Sequence, residues 1–590
     1  MKRALIIFVG AALLATVAFA QTPKDTYVEV EPAGIKTLDP ARAYDTASAE
    51  VIQNVYETLY FYKGASNADF VPVLATDYKI SPDGKTYTYT LRQGVTFHNG
   101  DPMTCMDVAY SIKRALVTNN QASGDWILAE SLLGADGDAN SVLGKDATDA
   151  QYHDYFQKIN NSVTCPDPYT AVFHLVQPDP TFFARMMFSA ASIMDMKWAV
   201  AHGQWDGTEA TWKKWIGYDL SVNSYTQDHM NGTGPYELVQ WVPGQKFVAK
   251  AYANYWGPQP AEKNVLINYV NDTSSRILAI QKGNADYMQV GSLSDIKQLE
   301  GSPGVKIWNL HGDQKDWSPA AVNAVFLNQD IQGGSTNPNL GSGKLDQNGI
   351  PANFFSDRDM RLCFSYAFDR QAFIQQVDLG LGQSLTMALP PSFLGYDPNI
   401  PKYTLDLEKA KQHCQAAWDG KAWQNGFKVT LFYNTGNTSR QTVDQIIKSN
   451  IEYLNPKFHV DVRGVAWPTY LDGLQKRNMP AFALGWAPDY ADPADYIPVF
   501  YDATLKGQYA WSTSYNSPQI IALDKQAGTS TDAPTRALLY KQIGAIAHQD
   551  EPFILYPTPQ PILVTRSDLK GVYYNALIGG GLYLWKDISK

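Results

Sequence analysis

The chain has 590 residues, too many for one compact core, so two to three domains are expected. Apolar residues make up 45% and charged residues 18%, which excludes a disordered chain. A net charge of −10 with no basic cluster excludes a nucleic-acid partner, which needs a basic face. Aromatics reach 13%, mostly Tyr and Trp, the side chains that give contact area and a polar handle at once.

Residues 1–20 read as a cleavable secretory signal. Lys2 and Arg3 precede the apolar run Ala4 to Val17, and Ala18-Phe19-Ala20 has the small-x-small form of a cleavage site. The run is short for a bilayer span, and Gln21 stands where a lipid-anchored protein would carry Cys. A soluble protein exported to the periplasm is expected. Its four cysteines, Cys105, Cys165, Cys363 and Cys414, allow three pairings, and export permits disulfides. The spacing favours Cys105–Cys165 and Cys363–Cys414; buried free thiols are the alternative.

In chain order, Tyr27 to Val30 reads as a strand and Leu38-Asp39-Pro40 as a turn. Ala49 to Leu59 reads as a helix with Val51, Ile52, Val55, Tyr56 and Leu59 on one face. The stretch from Phe70 to about Leu175 reads as an insertion. It contains a turn at Ser81-Pro82-Asp83-Gly84, a strand at Tyr87 to Leu91, and a capping box of Thr104 and Asp107 ahead of a helix from Cys105 to Leu116. A strand is expected at Thr170 to Val176, and a long loop between Gly134 and Asp149. From Met194 the chain is expected to return to the first domain. A tight loop at Gly232-Thr233-Gly234-Pro235-Tyr236 leads into a hairpin, Tyr236 to Trp241 and Lys246 to Ala251. A strand at Val265 to Val270 and a helix at Ser274 to Lys282 with Gly283 as its cap follow. A second α/β domain is expected from about Val305 to Thr535. Its strands lie at Ala324 to Leu327, Val429 to Tyr433, Val460 to Val462 and Ala481 to Leu484, and helices alternate with them, which predicts a mostly parallel or mixed sheet. The tail, Ala537 to Lys590, is expected to rejoin the first domain.

No catalytic constellation emerges. There is no HExxH, no GxSxG elbow and no CxxC pair. Gly341-Ser342-Gly343-Lys344 lacks the first Gly and the Ser or Thr of a phosphate loop. Asp136 to Asn140 begins like a calcium loop, but Ser141 and Ala147 stand where Gly and a bidentate Glu are needed. No metal and no cofactor are expected; an exported hydrolase with an unrecognised site is the rival from another class.

The informative stretch is Gly485-Trp486-Ala487-Pro488-Asp489-Tyr490-Ala491-Asp492-Pro493. It follows the buried strand and breaks into a Pro- and Asp-rich turn, at the carboxyl end of a strand, where α/β proteins place ligand groups. Trp486 offers a flat apolar wall and Asp489 a fixed negative charge, which suits a ligand carrying a cation beside an apolar group. A free peptide amino terminus fits that description; a surface turn with one packing Trp is the bland alternative.

Six motifs in order resemble the large substrate-binding proteins of ABC importers, the oligopeptide/dipeptide-binding family, or solute-binding protein family 5. They are Leu38-Asp39-Pro40 with Asn54-Val55-Tyr56-Glu57; Phe97-His98-Asn99-Gly100-Asp101-Pro102 with Asp107-Val108; Gly232 to Tyr236; Asn254-Tyr255-Trp256; Phe364 to Arg370; and Tyr490-Ala491-Asp492-Pro493. The resemblance implies a periplasmic-binding-protein-like α/β fold: two lobes hinged around a ligand cleft, plus an additional smaller domain. Residues 21–65, 193–300 and 537–590 would form the first lobe, 66–192 the additional domain and 301–536 the second lobe. It implies capture of a peptide by lobe closure and delivery by a monomer to an inner-membrane permease. It implies that Gly485, Trp486 and Ala487 pair with the peptide main chain and that Asp489 takes its amino terminus. Trp467 would line a side-chain pocket, and Tyr44 to Thr46 would face the ligand from the first lobe. Asp492 is the rival amine ligand, or else the cap of a turn before Pro493. Within the family an oligosaccharide or other non-peptide solute is the alternative ligand.

Overall fold

A computed structural model describes residues 22–590 except 33, 68, 121, 135–137, 180, 312–313, 315–316, 318, 531 and 580–581. The expected signal segment, and Asp136 and Gly137 of the calcium-like run, lie outside the described residues. The fold is mixed α/β, with three larger sheets.

The first sheet has seven strands, in the order Val305–Trp308, Leu563–Arg566, Tyr287–Met288, Thr26–Glu31, Asn264–Tyr269, Lys246–Ala251 and Tyr236–Val242. Its central strand, Thr26–Glu31, is parallel to both neighbours. The second sheet orders Phe458–Val465, Phe427–Asn434, Ala481–Trp486, Val322–Leu327 and Phe553–Leu555. The third is a four-stranded antiparallel sheet from the insertion: Ala75–Ile80, Thr86–Leu91, Thr170–His174 and Val163–Asp167. The chain crosses from the first sheet to the second between Trp308 and Val322 and returns between Leu555 and Leu563.

Sheet membership moves two expected boundaries. Val305–Trp308 pairs with Leu563–Arg566, so this strand joins the first sheet and not the second. The helix Ala533–Asp550 continues unbroken through 537 and leads into Phe553–Leu555, an edge strand of the second sheet. The loop expected between Gly134 and Asp149 contains the helix Ala139–Leu143. The Asp138 carboxylate accepts from the Ser141 backbone at 3.0 Å, so this aspartate of the calcium-like run serves as a helix cap.

The recurring motifs tie these units together. Asp39, fully buried, accepts from both terminal nitrogens of Arg114 on the helix Cys105–Thr118, at 3.0 and 2.5 Å. Glu57 accepts from the Tyr255 hydroxyl, the Thr233 hydroxyl and the Trp256 indole at 2.8–2.9 Å. Gly234 donates to Val55 O at 3.0 Å, and a Cβ on either Gly232 or Gly234 would collide with that carbonyl, so only glycine permits the approach. Disulfides join Cys105 to Cys165 within the insertion and Cys363 to Cys414 between two helices of the second lobe.

Asp39→Ala is expected to cost about 3–5 kcal/mol, because it leaves the buried Arg114 guanidinium without its counter-charge. Urea unfolding measures this; a loss under 1 kcal/mol would contradict the reading.

Candidate functional site

The strand Ala481–Trp486 sets the site. Along its whole length it pairs antiparallel with Val322–Leu327, from Ala481 opposite Leu327 to Trp486 opposite Val322. On its other side it pairs with Phe427–Asn434 only at Ala481 and Phe482. Beyond Phe482 that edge has no strand partner among the described residues, and its carbonyls turn to side chains. Ala483 O accepts from the Tyr470 hydroxyl at 2.6 Å and Gly485 O from the Tyr509 hydroxyl at 2.9 Å. A Cβ on Gly485 would strike the Asn323 amide oxygen, so a larger residue there would displace that side chain.

The strand ends at a cavity of about 260 Å³ between the lobes. Of the residues singled out in the sequence, Gly485, Trp486, Ala487, Asp489, Trp467, Tyr44 and Thr46 all line it. Asp492 does not. Its carboxylate caps the turn Pro493–Asp495 through Ala494 N at 2.9 Å and pairs with Arg536 at 2.6 Å.

Tyr44 joins three parts of the molecule. Its hydroxyl donates to Asp489 Oδ2 at 2.9 Å and accepts from the Trp126 indole at 3.1 Å and the Gln508 amide at 3.3 Å. Its ring meets Phe188 and Trp486 edge-on at 5.8 and 5.9 Å. Nearby, Trp467 donates to Asp45 Oδ1 at 3.3 Å, and Lys36 pairs with Asp472 at 2.7 Å. The lobes are therefore in contact around the cavity.

The floor is acidic and uncompensated. Asp489 is 8% exposed. Its backbone N–H donates to Asp495 Oδ2 at 2.7 Å; Asp495 is fully buried, and its Oδ1 has no hydrogen-bond partner. The cation nearest in effect, Arg185, is already engaged by Glu130 at 2.5 Å and Asp179 at 3.4 Å. Burial therefore pushes the Asp489 carboxyl up to about 8, against the lowering effect of Tyr44 and Arg185. Burial, then the charge of Asp489, pushes Asp495 up as well. Among the lining cations, Lys36 and Arg42 are paired with Asp472 and Asp219, whereas Arg440 forms no ion pair among the described residues and is suited to an anionic group.

Sequence reasoning missed Asp495, Gln508, Tyr509 and Arg440. Asp495 lies in the same Pro-Asp turn and carries a legible signal, an acid two residues past a proline. Gln508 and Tyr509 begin one short helix and Arg440 lies in the first turn of another, and no local pattern marks them.

The profile of the family described as bacterial extracellular solute-binding proteins, family 5 Middle, matches residues 69–508. The chain belongs to that family. It is 24% identical over 574 residues to the probable D,D-dipeptide-binding periplasmic protein DdpA of Escherichia coli K12, covering 96% of each chain. It is 22% identical over 597 residues to the dipeptide-binding protein of the same organism, covering 98% of this chain and 97% of that one. Its fold matches the periplasmic binding protein DppA of Helicobacter pylori, solved in complex with the peptide STSA, with a TM-score of 0.71, 23% identity and coverage of 95% and 98%. No helix among the described residues is long and apolar enough to cross a membrane.

Asp489 gives a pH signature. Above the ordinary carboxylate pKa near 3.9 the unfolded chain has lost this proton, while the folded chain keeps it up to about 8. Its contribution to stability therefore falls as pH rises from about 4 to about 8. Asp489→Asn is expected to gain on the wild type in thermal midpoint across that window. Parallel curves would contradict it.

Proposed function

We propose that this chain is an exported peptide-binding protein of an ABC importer. It captures a short peptide between two closing lobes as a monomer in the periplasm, delivers it to an inner-membrane permease, and acts by binding without catalysis. The single observation that carries the reading is Asp489. It is a carboxylate on the wall of an interlobe cavity, buried beside a second carboxylate, and the cation acting on it, Arg185, is engaged by Glu130 and Asp179. A ligand ammonium supplies the missing charge. Trp486, Trp467 and Tyr509 supply apolar walls for the adjoining side chain. The unpaired strand edge at Gly485 to Ala487 supplies main-chain groups that are blind to side-chain identity; Gly485 O keeps a second lone pair beside its bond to Tyr509.

The same charge explains why closure depends on ligand. Closing over an empty cavity buries Asp489 and Asp495 together, which penalises the closed form. An ammonium relieves that penalty, so the ligand favours closure by its differential affinity.

The test is calorimetric titration of short free-amine peptides into the ligand-stripped protein and two variants. Asp489→Asn is expected to weaken binding by ~1.5–3 kcal/mol, the range of a charge-assisted hydrogen bond, and Asp492→Asn by far less. Equal losses at both positions would remove Asp489 as the amine anchor.

A further inference from the structure

Behind the cavity wall the first strand and first helix of the chain gather three glutamates. Glu29 and Glu31 alternate on Thr26–Glu31 and so share one face of the strand, opposite Val28 and Val30. Glu50 comes from the helix Thr46–Val55, whose Ala49 and Gln53 line the cavity. One carboxylate oxygen from each lies within 4.8 Å of the other two. The residues are 0%, 4% and 2% exposed.

Their charge is only partly balanced: Arg276 acts on Glu31, while burial and the neighbouring carboxylates work against all three. None of the three forms an ion pair among the described residues. Arg276, the cation acting on Glu31, spends its guanidinium on the carbonyls of Val270, Asn271 and Gln289 and on the Thr273 hydroxyl. The Lys590 ammonium goes to Asp286 at 3.1 Å and Thr26 O at 2.5 Å. Glu29 Oε1 accepts from the Trp585 indole at 3.1 Å, but Glu29 Oε2 and Glu50 Oε1, both fully buried, accept no hydrogen bond. Carboxylate oxygens buried without a donor, as these two are, take up either a proton or a cation.

The chemistry of the donors selects the occupant. Three carboxylate oxygens with no sulfur or imidazole suit a hard cation. Calcium binds oxygen at about 2.3–2.6 Å, so two of its ligands lie at most about 4.6–5.2 Å apart, a sphere that the trio fits. We propose that Glu29, Glu31 and Glu50 form a structural calcium site that ties the first strand to the first helix. The ion braces the helix that carries Thr46, Ala49 and Gln53 on the cavity side and follows directly on Tyr44 and Asp45. The site is independent of which solute the cavity takes. Protons are its competitor, because burial pushes all three carboxyls up.

The experiment uses the chelator-treated mature protein at pH 8. Calcium is titrated by calorimetry and by thermal shift, with magnesium as a second arm. Terbium emission is excited through Trp585, which touches Glu29. The expected result is one calcium per chain, a raised thermal midpoint, and sensitised terbium emission that calcium displaces. Glu50→Gln and, separately, Glu31→Gln are expected to weaken calcium binding at least about tenfold and to abolish the midpoint shift. In calcium-free buffer their midpoints should be no lower than that of the wild type, since each relieves like-charge repulsion. A wild type with neither calcium heat nor midpoint shift would overturn the proposal and leave protons as the occupants. A full calcium response in both variants would overturn the assignment to these residues.

Discussion

A carboxylate carried out of water must meet a cation, take up a proton or collect hydrogen bonds, and Asp489 is arranged so that only part of this need is met. Tyr44 reaches across from the other lobe to give it one hydrogen bond. The rest of the site exists to hold that arrangement. Trp126 and Gln508 fix the Tyr44 hydroxyl, and Phe188 and Trp486 fix its ring. Gly124 leaves room for it, because a Cβ there would meet both Tyr44 and Phe188. The Pro493–Asp495 turn, capped by Asp492, sets Asp495 beneath the Asp489 backbone. The rest of that need is left unmet within the chain.

The motifs that carry the family resemblance mostly lie away from the cavity. Asp39 with Arg114, Glu57 with Tyr255 and Trp256, and Ser365 with Glu551 at 2.6 Å are buried locks between segments distant in sequence. Their role is positional: they place Tyr44 and the helix after it on one side of the cavity and the strand Ala481–Trp486 on the other. These locks hold the frame and not the cavity wall, which is why the motifs identify the family more firmly than they identify the ligand.

The strands and helices with clear periodicity were legible in the sequence, and so was the group Tyr44, Trp467, Gly485, Trp486 and Asp489, through the order of the motifs. What escaped has physical reasons. The short strands Val305–Trp308 and Phe553–Leu555 carry too few residues for a period, and only their pairing assigns them to a lobe. The helix Ala139–Leu143 is shorter than two turns, too short to show a period, so the stretch read as a loop. Glu29 and Glu31 alternate with valines, a pattern that on an exposed strand would put the acids in water. Thr26–Glu31 lies in the centre of a covered sheet, so both faces are buried. Arg440 and Tyr509 reach the cavity from helices far apart in sequence, and only the folded chain brings them together.

The most direct test of the central claim is a calorimetric comparison of matched tri- to pentapeptides, with free and acetylated amino termini, on the ligand-stripped wild-type protein. The account predicts that free-amine peptides bind and that acetylation weakens them by at least about tenfold, the equivalent of ~1.4 kcal/mol. Equal affinity for the two sets, or binding of oligosaccharides alone, would contradict it.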